Sequence, residues 1–174
     1  ELQTIKTIWQ TEHHFWYDGY SPALLTVAGG IAAATKHIQI GQSTMLFSQH
    51  EALRVATQAA VVDQISGGRL QLGLGLGYRD NEFDGFNIDR RTRKARFEEG
   101  IEVLRASWAD SPVNFHGKQF DIPDVSVTPK PFQPEIPIWV AAVGDAPIKR
   151  AAKLGLSIIL SDALTLDQLS EHIE

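Results

Sequence analysis

Two neighbouring histidines and a carboxylate, Glu12-His13-His14, follow the first short apolar stretch of the sequence. Histidine titrates near neutral pH and often acts as a general acid or base, and a nearby carboxylate can orient its ring. Adjacent residues point in different directions, so we do not expect the two imidazoles to share a metal ion. We therefore predict a proton-handling site without a metal. The structural alternative places one histidine partly in the core and the other in solvent.

Three further polar or glycine-rich segments also follow predicted strands. They are Gln42-Ser43-Thr44-Met45, then Gly73-Leu74-Gly75-Leu76-Gly77-Tyr78-Arg79, then Ala142-Val143-Gly144-Asp145. In parallel α/β folds the carboxyl ends of the strands meet at one edge of the sheet or one mouth of a barrel, where enzymes bind their substrates. We therefore expect all four segments to contribute to one site.

The glycine-rich segment at 73–77 has two interpretations. Its G-x-G-x-G spacing differs from the G-x-G-x-x-G spacing of dinucleotide-binding folds, and no helix is predicted directly after it. Either the glycines let a neighbouring strand pack closely, or Gly75 and Gly77 leave room for a flat ligand.

Two other segments have a structural and a functional interpretation. Asp145 can be an ordinary helix N-cap followed by Pro147, or the free N–H groups there can hold a phosphate, which the charge of Asp145 would oppose. The basic run at 90–96 can be a solvated helix face or can reach a bound phosphate.

Composition excludes several classes of protein. The 174 residues have 43% hydrophobic and 21% charged residues, as in a single globular domain, here taken as 1–174. The net charge of −5 argues against nucleic acid or an anionic membrane as a partner. The absence of cysteine excludes disulfides and thiolate sites. No segment resembles a membrane span or a signal peptide, and we predict a cytoplasmic protein.

Strands and helices alternate along the chain, which predicts a parallel sheet built from βα units. Strands are expected near 7–9, 38–45, 70–74, 138–141 and 157–160, and helices near 23–35, 50–65, 90–108 and 145–154. An irregular insertion at about 111–137 carries a predicted hairpin at His116-Gly117 and a proline-rich stretch at 128–134. A doubly wound sheet and a (β/α)₈ barrel both remain possible.

Local signals give the limits of the helices. Ser21 and Pro22 predict the cap and first residue of a helix that is apolar all round and therefore buried. The second helix is expected to bury Leu53, Ala56, Ala60 and Val61, and to end at Ser66-Gly67-Gly68. The chain does not begin with Met and ends within a predicted helix at 166–174, so we expect it to be part of a longer protein.

Five segments resemble the bacterial luciferase-like flavin-dependent monooxygenases, whose barrel is shared with deazaflavin (F420)-dependent reductases. They are EHHF (12–15), DQISGGRLQLGLGLGY (63–78), ARFEEGIEVLRASW (95–108), VTPKPFQPEIPIWVA (127–141) and AAKLGL (151–156). The resemblance implies a (β/α)₈ TIM barrel that is incomplete here, with about strands 2 to 6 present.

The resemblance also implies roles for individual residues. His13 would be the catalytic residue beside the flavin, supported by Glu12 and His14. The segment Gln42-Ser43-Thr44, with an unusual peptide geometry, would lie along the isoalloxazine. The implied cofactor-binding residues are Ser43, Thr44, Gly75, Tyr78, Val143, Gly144 and Asp145.

The sequence departs from the family pattern at two strand ends. Leu76 stands where the family often has a phosphate-binding arginine, and Val143-Gly144 stands where it often has Glu-Ser or Ser-Pro. Arg79 or the basic run at 90–96 would have to compensate.

The activity implied by the resemblance is a monooxygenation. Reduced FMN, supplied by a flavin reductase, and dioxygen would oxidise a small organic substrate in a water-poor pocket, with His13 assisting by hydrogen bonding or proton transfer. Two alternatives are an F420-dependent oxidoreductase that transfers hydride and a non-catalytic flavin-binding subunit. The resemblance further implies a homo- or heterodimer formed through the helices at 21–35 and 50–65. The small apolar face of Ala32, Ala33 and Ala34 suits such packing, and it suits the monomer core equally well.

Overall fold

The computed structural model describes residues 5–160, which form a five-stranded parallel sheet with helices in the connections. The sheet has the order β1-β2-β3-β6-β7, and a separate hairpin pairs β4 with β5. The strands are β1 (Thr7–Gln10), β2 (Gln39–Gln42), β3 (Leu70–Leu74), β4 (Val113–His116), β5 (Asp121–Val125), β6 (Ile138–Ala142) and β7 (Ser157–Leu160). The helices are α1 (Leu24–Ala34), α2 (Ala52–Ser66), α3 (Asp80–Gly85), α4 (Arg93–Trp108) and α5 (Asp145–Leu154).

The register of the sheet aligns the carboxyl ends of its strands. Ile8 pairs with Ile40, Ile40 with Leu70, and Val140 with Ile158, all in parallel. Each parallel connection crosses over through a helix, so every strand of the sheet runs in the same direction. The segments that follow β1, β2, β3 and β6 therefore lie at one edge, as expected from the sequence.

The core lies between the sheet and the helices. The three leucines of β3 are completely buried: Leu70, Leu72 and Leu74. Strand β3 is the central strand of the sheet and pairs with β2 on one side and β6 on the other. Helix α4 packs on the core through Phe97 and Ile101, which are inaccessible to solvent.

The two helices before β3 differ in detail from the prediction. Helix α1 begins at Leu24 after Ala23, which makes no side-chain cap bond, so the predicted cap and first residue lie outside the helix. The prediction that α1 is buried on all sides is also wrong, since Val27 is 46% exposed. In α2, Val61 is exposed; the buried residues are Ala52, Val55, Ala56, Ala59, Ala60, Val62, Asp63 and Ser66.

Glycines end α2 and α5 as predicted. Gly67 and Gly155 adopt φ of 66° and 63°, and their N–H groups bond to the last carbonyls of the preceding helix. At the start of α5, Gly144 is the N-cap and Asp145 is the first helical residue, which moves the predicted cap by one position.

The insertion at 111–137 contains the predicted hairpin, β4–β5, and an irregular proline-rich stretch. The stretch is fixed to the carboxyl end of α2, because the Gln133 backbone N–H and side-chain amide donate to the buried carboxylate of Asp63 at 2.9 and 2.8 Å. The segment after β3, for which no helix was predicted, contains α3. The predicted helix at 166–174 lies outside the described residues. Within residues 5–160, every helix is too short or too polar to cross a membrane.

Candidate active site

The strand ends meet at one open cavity of about 600 Å³. This volume falls in the range of ordinary small-molecule sites. The lining comes from the segments after β1, β2, β3 and β6 together with α4 and α5, and includes Thr11, Glu12, His13, Tyr20, Ser43, Thr44, Gly75, Gly77, Tyr78, Arg93, Val143 and Arg150.

Six of the eight predicted site residues line this cavity: His13, Ser43, Thr44, Gly75, Tyr78 and Val143. Gly144 and Asp145 are outside the lining. Gly144 has a φ of 84° at the start of α5, and the exposed Asp145 carboxylate lies 3.6 Å from the Lys149 ammonium. The phosphate contact implied for these two residues stays a prediction.

His13 is held by a buried carboxylate from a distant part of the sequence. Its Nδ1 lies 2.8 Å from Oε1 of Glu82, which is inaccessible to solvent, and the backbone N–H of His14 donates to the same oxygen at 3.0 Å. Glu82 belongs to α3. Since Nδ1 is occupied and Nε2 has no hydrogen-bond partner among residues 5–160, Nε2 is the nitrogen available to a ligand.

The expectation that Glu12 supports His13 is wrong. Glu12 is buried and accepts a hydrogen bond from the Leu46 backbone N–H at 2.6 Å, and its carboxylate lies 3.0 Å from His50 Nε2 and 3.5 Å from His14 Nε2. Burial alone would raise the pKa of Glu12, but hydrogen bonds from His14 and His50, the charge of His50 and the Leu46 N–H together lower it to about 2. Glu12 is therefore ionised at neutral pH.

Aromatic rings surround His13 on the cavity side. The ring centroids of Trp16, Tyr20 and Tyr78 lie 6.2, 5.1 and 5.8 Å from the imidazole centroid, all edge-on. The Arg79 guanidinium stacks over Trp16 at 3.9 Å. These rings limit the access of water to His13, whose side chain is only 18% exposed.

Two glycines of the third strand end permit close packing, one of the two roles that their spacing allowed; room for a flat ligand stays a prediction. A Cβ at Gly73 would overlap the carbonyl oxygen of Gln42, so Gly73 permits close approach of β2 and β3. A Cβ at Gly75 would lie 2.7 Å from Thr44 Oγ1, at the cavity floor. The Ser43–Thr44 peptide bond is cis, the unusual geometry implied for this segment.

Two cations line the cavity on the side of α4 and α5. Arg93 comes from the basic run, and Arg150 is a residue that sequence reasoning did not select. Arg150 Nε is buried, without a hydrogen-bond partner among the described residues, and lies 3.4 Å from Glu98 Oε1. A flat ring with a phosphate tail fits this arrangement, because the ring can lie on the glycine floor and the phosphate can meet an arginine.

The other arginines of the basic run form ion pairs with carboxylates. Arg90 pairs with Asp80 at 2.9 Å, Arg91 with Asp89 at 2.8 Å, and Arg96 with Glu51 at 3.1 Å. Arg79, which was expected to compensate for Leu76, stacks on Trp16 instead.

Sequence reasoning missed Glu82 because it is one of three acidic residues, with Asp80 and Asp84, in a segment without a clear period. The signal present was its position next to Phe83, which is fully buried. Only the position of α3 against the segment after β1 reveals its partner.

Known proteins are similar to this chain over nearly its whole length. Residues 1–174 match the family model described as luciferase-like monooxygenase. The F420-dependent glucose-6-phosphate dehydrogenase of Kineococcus radiotolerans is 31% identical over 179 residues, which is 99% of this chain and 53% of that protein.

Solved structures share the fold. The monooxygenase RslO1 from Streptomyces bottropensis superposes with a TM-score of 0.88 at 30% identity, covering 97% of this chain and 52% of that one. The oxygenating constituent of 3,6-diketocamphane monooxygenase from Pseudomonas putida, solved in complex with FMN, gives 0.84 at 19% identity, with 97% and 51% covered. The chain thus spans about half the length of the proteins it matches, and its parallel sheet corresponds to part of their barrel.

Proposed function

The chain belongs to the luciferase-like monooxygenase family, and on that basis we propose that the complete protein uses reduced FMN and dioxygen to oxidise a small organic substrate. One observation carries the proposal. The strand ends form a single cavity that is lined by His13, which the buried Glu82 holds, together with Thr44 and Gly75. A histidine with a fixed ring in a cavity large enough for a cofactor is what such a reaction needs.

Residues on both sides of the cavity would hold the cofactor. Ser43, Thr44 and Gly75 would contact its ring, and Arg93 or Arg150 would neutralise its phosphate. When bound, the cofactor supplies the electrons that activate dioxygen. The protein binds and orients the cofactor and the substrate, and it excludes water from them.

His13 would hold or transfer a proton at Nε2. The Glu82 carboxylate fixes the ring through Nδ1, so Nε2 is already oriented before each turnover. The rings of Trp16, Tyr20 and Tyr78 reduce water near that nitrogen.

A His13→Ala variant of the complete protein tests this role. We expect kcat to fall by about 10²- to 10⁴-fold, the usual contribution of a general acid or base, with FMN affinity little changed. His116→Ala is the matched control, because His116 lies on the exposed hairpin and pairs with Asp121. Equal rates of substrate oxidation in wild type and His13→Ala would refute the proposal.

A second candidate function is hydride transfer with F420. It is favoured by the 31% identity to an F420-dependent dehydrogenase. Titration of the complete protein with FMN and with F420, followed by absorbance, discriminates the two, and oxygen consumption with reduced FMN identifies the monooxygenase. Tight flavin binding without turnover would indicate a non-catalytic flavin-binding subunit.

We also propose that the protein dimerises through α1 and α2. Val27, Val61 and Ile65 are exposed apolar side chains on these helices, and an apolar cavity of about 320 Å³ lies between them. The three consecutive alanines do not share one face, since Ala32 is in the core whereas Ala33 and Ala34 are exposed. A Val61→Glu/Ile65→Glu variant should be monomeric in sedimentation velocity; an unchanged sedimentation coefficient would contradict this interface.

A further inference from the structure

A carboxylate and two imidazoles converge beside the active-site cavity without taking part in the role proposed for His13. Glu12 and His14 follow β1, and His50 precedes α2, so the group joins two segments that are 36 residues apart. One donor atom from each residue lies within 4.8 Å of the other two.

We propose that Glu12, His14 and His50 form a binding site for a divalent cation of the zinc class. The ligands would be a carboxylate oxygen of Glu12 and Nε2 of both histidines. Two histidines and one glutamate, with a fourth position left to water, form a common zinc donor set.

The donor spacing suits a small tetrahedral ion. Bonds of about 2.0–2.1 Å to nitrogen and oxygen place tetrahedral ligand atoms about 3.4 Å apart. The separations are 3.5 Å between Glu12 Oε1 and His14 Nε2 and 3.0 Å between Glu12 Oε2 and His50 Nε2, through the two oxygens of one carboxylate, and one ligand atom from each residue lies within 4.8 Å of the other two. A cation can therefore be accommodated with small side-chain adjustments.

Two of the ligand atoms have only a weak polar contact with each other. Glu12 Oε1 and His14 Nε2 are buried, in residues that are 2% and 6% exposed, and they face each other at 3.5 Å, which is long for a hydrogen bond. Buried polar atoms nearly always have a close partner, so this gap suggests an absent ligand. A cation between them would satisfy both atoms at once.

The surroundings also support a metal ligand. The Leu46 N–H donates a hydrogen bond to Glu12 Oε2 at 2.6 Å, as outer-shell donors do in metal sites.

A cation can reach the cluster from outside. Glu12 and His50 line a cavity of about 240 Å³ beside α1 and α2, and Glu12 also lines the active-site cavity. Arg54 lines the same cavity, and its charge opposes a cation. We therefore expect micromolar rather than nanomolar affinity for Zn²⁺.

Calorimetric titration of the chelator-treated complete protein with ZnCl₂ tests the site. One equivalent should bind, and His14→Gln or His50→Gln should weaken binding tenfold or more. His37→Gln is the matched control, because His37 is exposed and distant in the sequence from the cluster. Absence of zinc binding, or an equal loss in the control, would overturn the proposal.

A measurement on the wild type keeps the test decisive if the variants fold poorly. Co²⁺ in a four-coordinate nitrogen and oxygen site gives intense visible ligand-field bands, which six-coordinate Co²⁺ in water lacks. We expect these bands at one equivalent of CoCl₂ and their loss when ZnCl₂ is added. A spectrum identical to that of aqueous Co²⁺ would exclude the site. Neither readout depends on flavin, so the proposed oxidoreductase and the metal site can fail separately.

Discussion

The two adjacent histidines of the first strand end are bound by different carboxylates. His13 pairs with Glu82 of α3, whereas His14 faces Glu12 and, across it, His50. The division follows from the opposite directions in which neighbouring side chains point. One imidazole is thereby directed to the cavity, and the other joins a buried cluster behind it.

Glu82 is a positioning residue for His13. Glu82→Ala should lower kcat of the complete protein by about tenfold or more, since the ring loses its only anchor through Nδ1. Glu82→Gln keeps an acceptor oxygen and should restore part of that loss. Steady-state kinetics of both variants, with flavin affinity measured separately, check the prediction; two variants with equal kcat would contradict an orienting role.

Glu12 makes stability depend on pH in acid. Its pKa is lowered from 4.5 to about 2, so the ionised form stabilises the folded state above pH 4.5. That contribution, about 3 kcal/mol from the size of the shift, is lost as the pH falls from about 4.5 towards 2. Urea unfolding of chelator-treated protein at pH 6, 4 and 3 measures it. Glu12→Gln should flatten this dependence, and an equally steep loss in that variant would assign the effect to other groups.

At the level of the elements, the approach of β2 to β3 determines the shape of the cavity floor. Beyond the strand ends the pairing continues, with Met45 N–H donating to Gly73 O and Phe47 N–H donating to Gly75 O, both within 2.9 Å. This extended pairing fixes Thr44 against Gly75. The floor is therefore part of the sheet and not of a free loop.

Gly73→Ala tests this approach. A methyl group there would overlap the backbone carbonyl of Gln42, which cannot move without breaking the sheet, so we expect a loss of several kcal/mol. Gly30→Ala is the control, because Gly30 is an exposed residue of α1 with nothing within 4 Å of the added carbon. That variant should gain up to about 1 kcal/mol from helix propensity. Chemical denaturation gives both values, and a Gly73→Ala protein as stable as wild type would disprove the contact.

At the level of the whole molecule, the site exists because parallel strands present their carboxyl ends together. One cavity is lined by segments that are far apart in sequence, namely 11–13, 43–46, 75–78 and 140–143. Removal of any one strand end would open the cavity to water. Ligand binding should accordingly stabilise the entire sheet.

FMN should raise the melting temperature of the complete protein. A ligand at 100 times its Kd adds about 2.7 kcal/mol to the free energy of unfolding, which corresponds to several degrees. Differential scanning calorimetry with FMN, with F420 and with neither measures the effect. We expect the larger increase with FMN, and a larger increase with F420 would favour the hydride-transfer alternative.

The sequence by itself determined the βα architecture and most of the site. Hydrophobic stretches and glycine stop signals specified the five strands and the helices between them, because these signals are local. The rule that strand ends converge then selected the four segments of the site, and the family resemblance implied His13, Ser43, Thr44 and Gly75 within them.

Only the tertiary structure decided which carboxylate serves which histidine. The contacts of Glu82 with His13 and of His50 with Glu12 join residues 69 and 38 positions apart. No local sequence pattern predicts such a pair, because the pairing depends on how α3 and the segment before α2 pack against the end of β1. The same packing placed Arg93 and Arg150 in the cavity and left Asp145 outside it, since a helix face is oriented by its core contacts and not by its own charges.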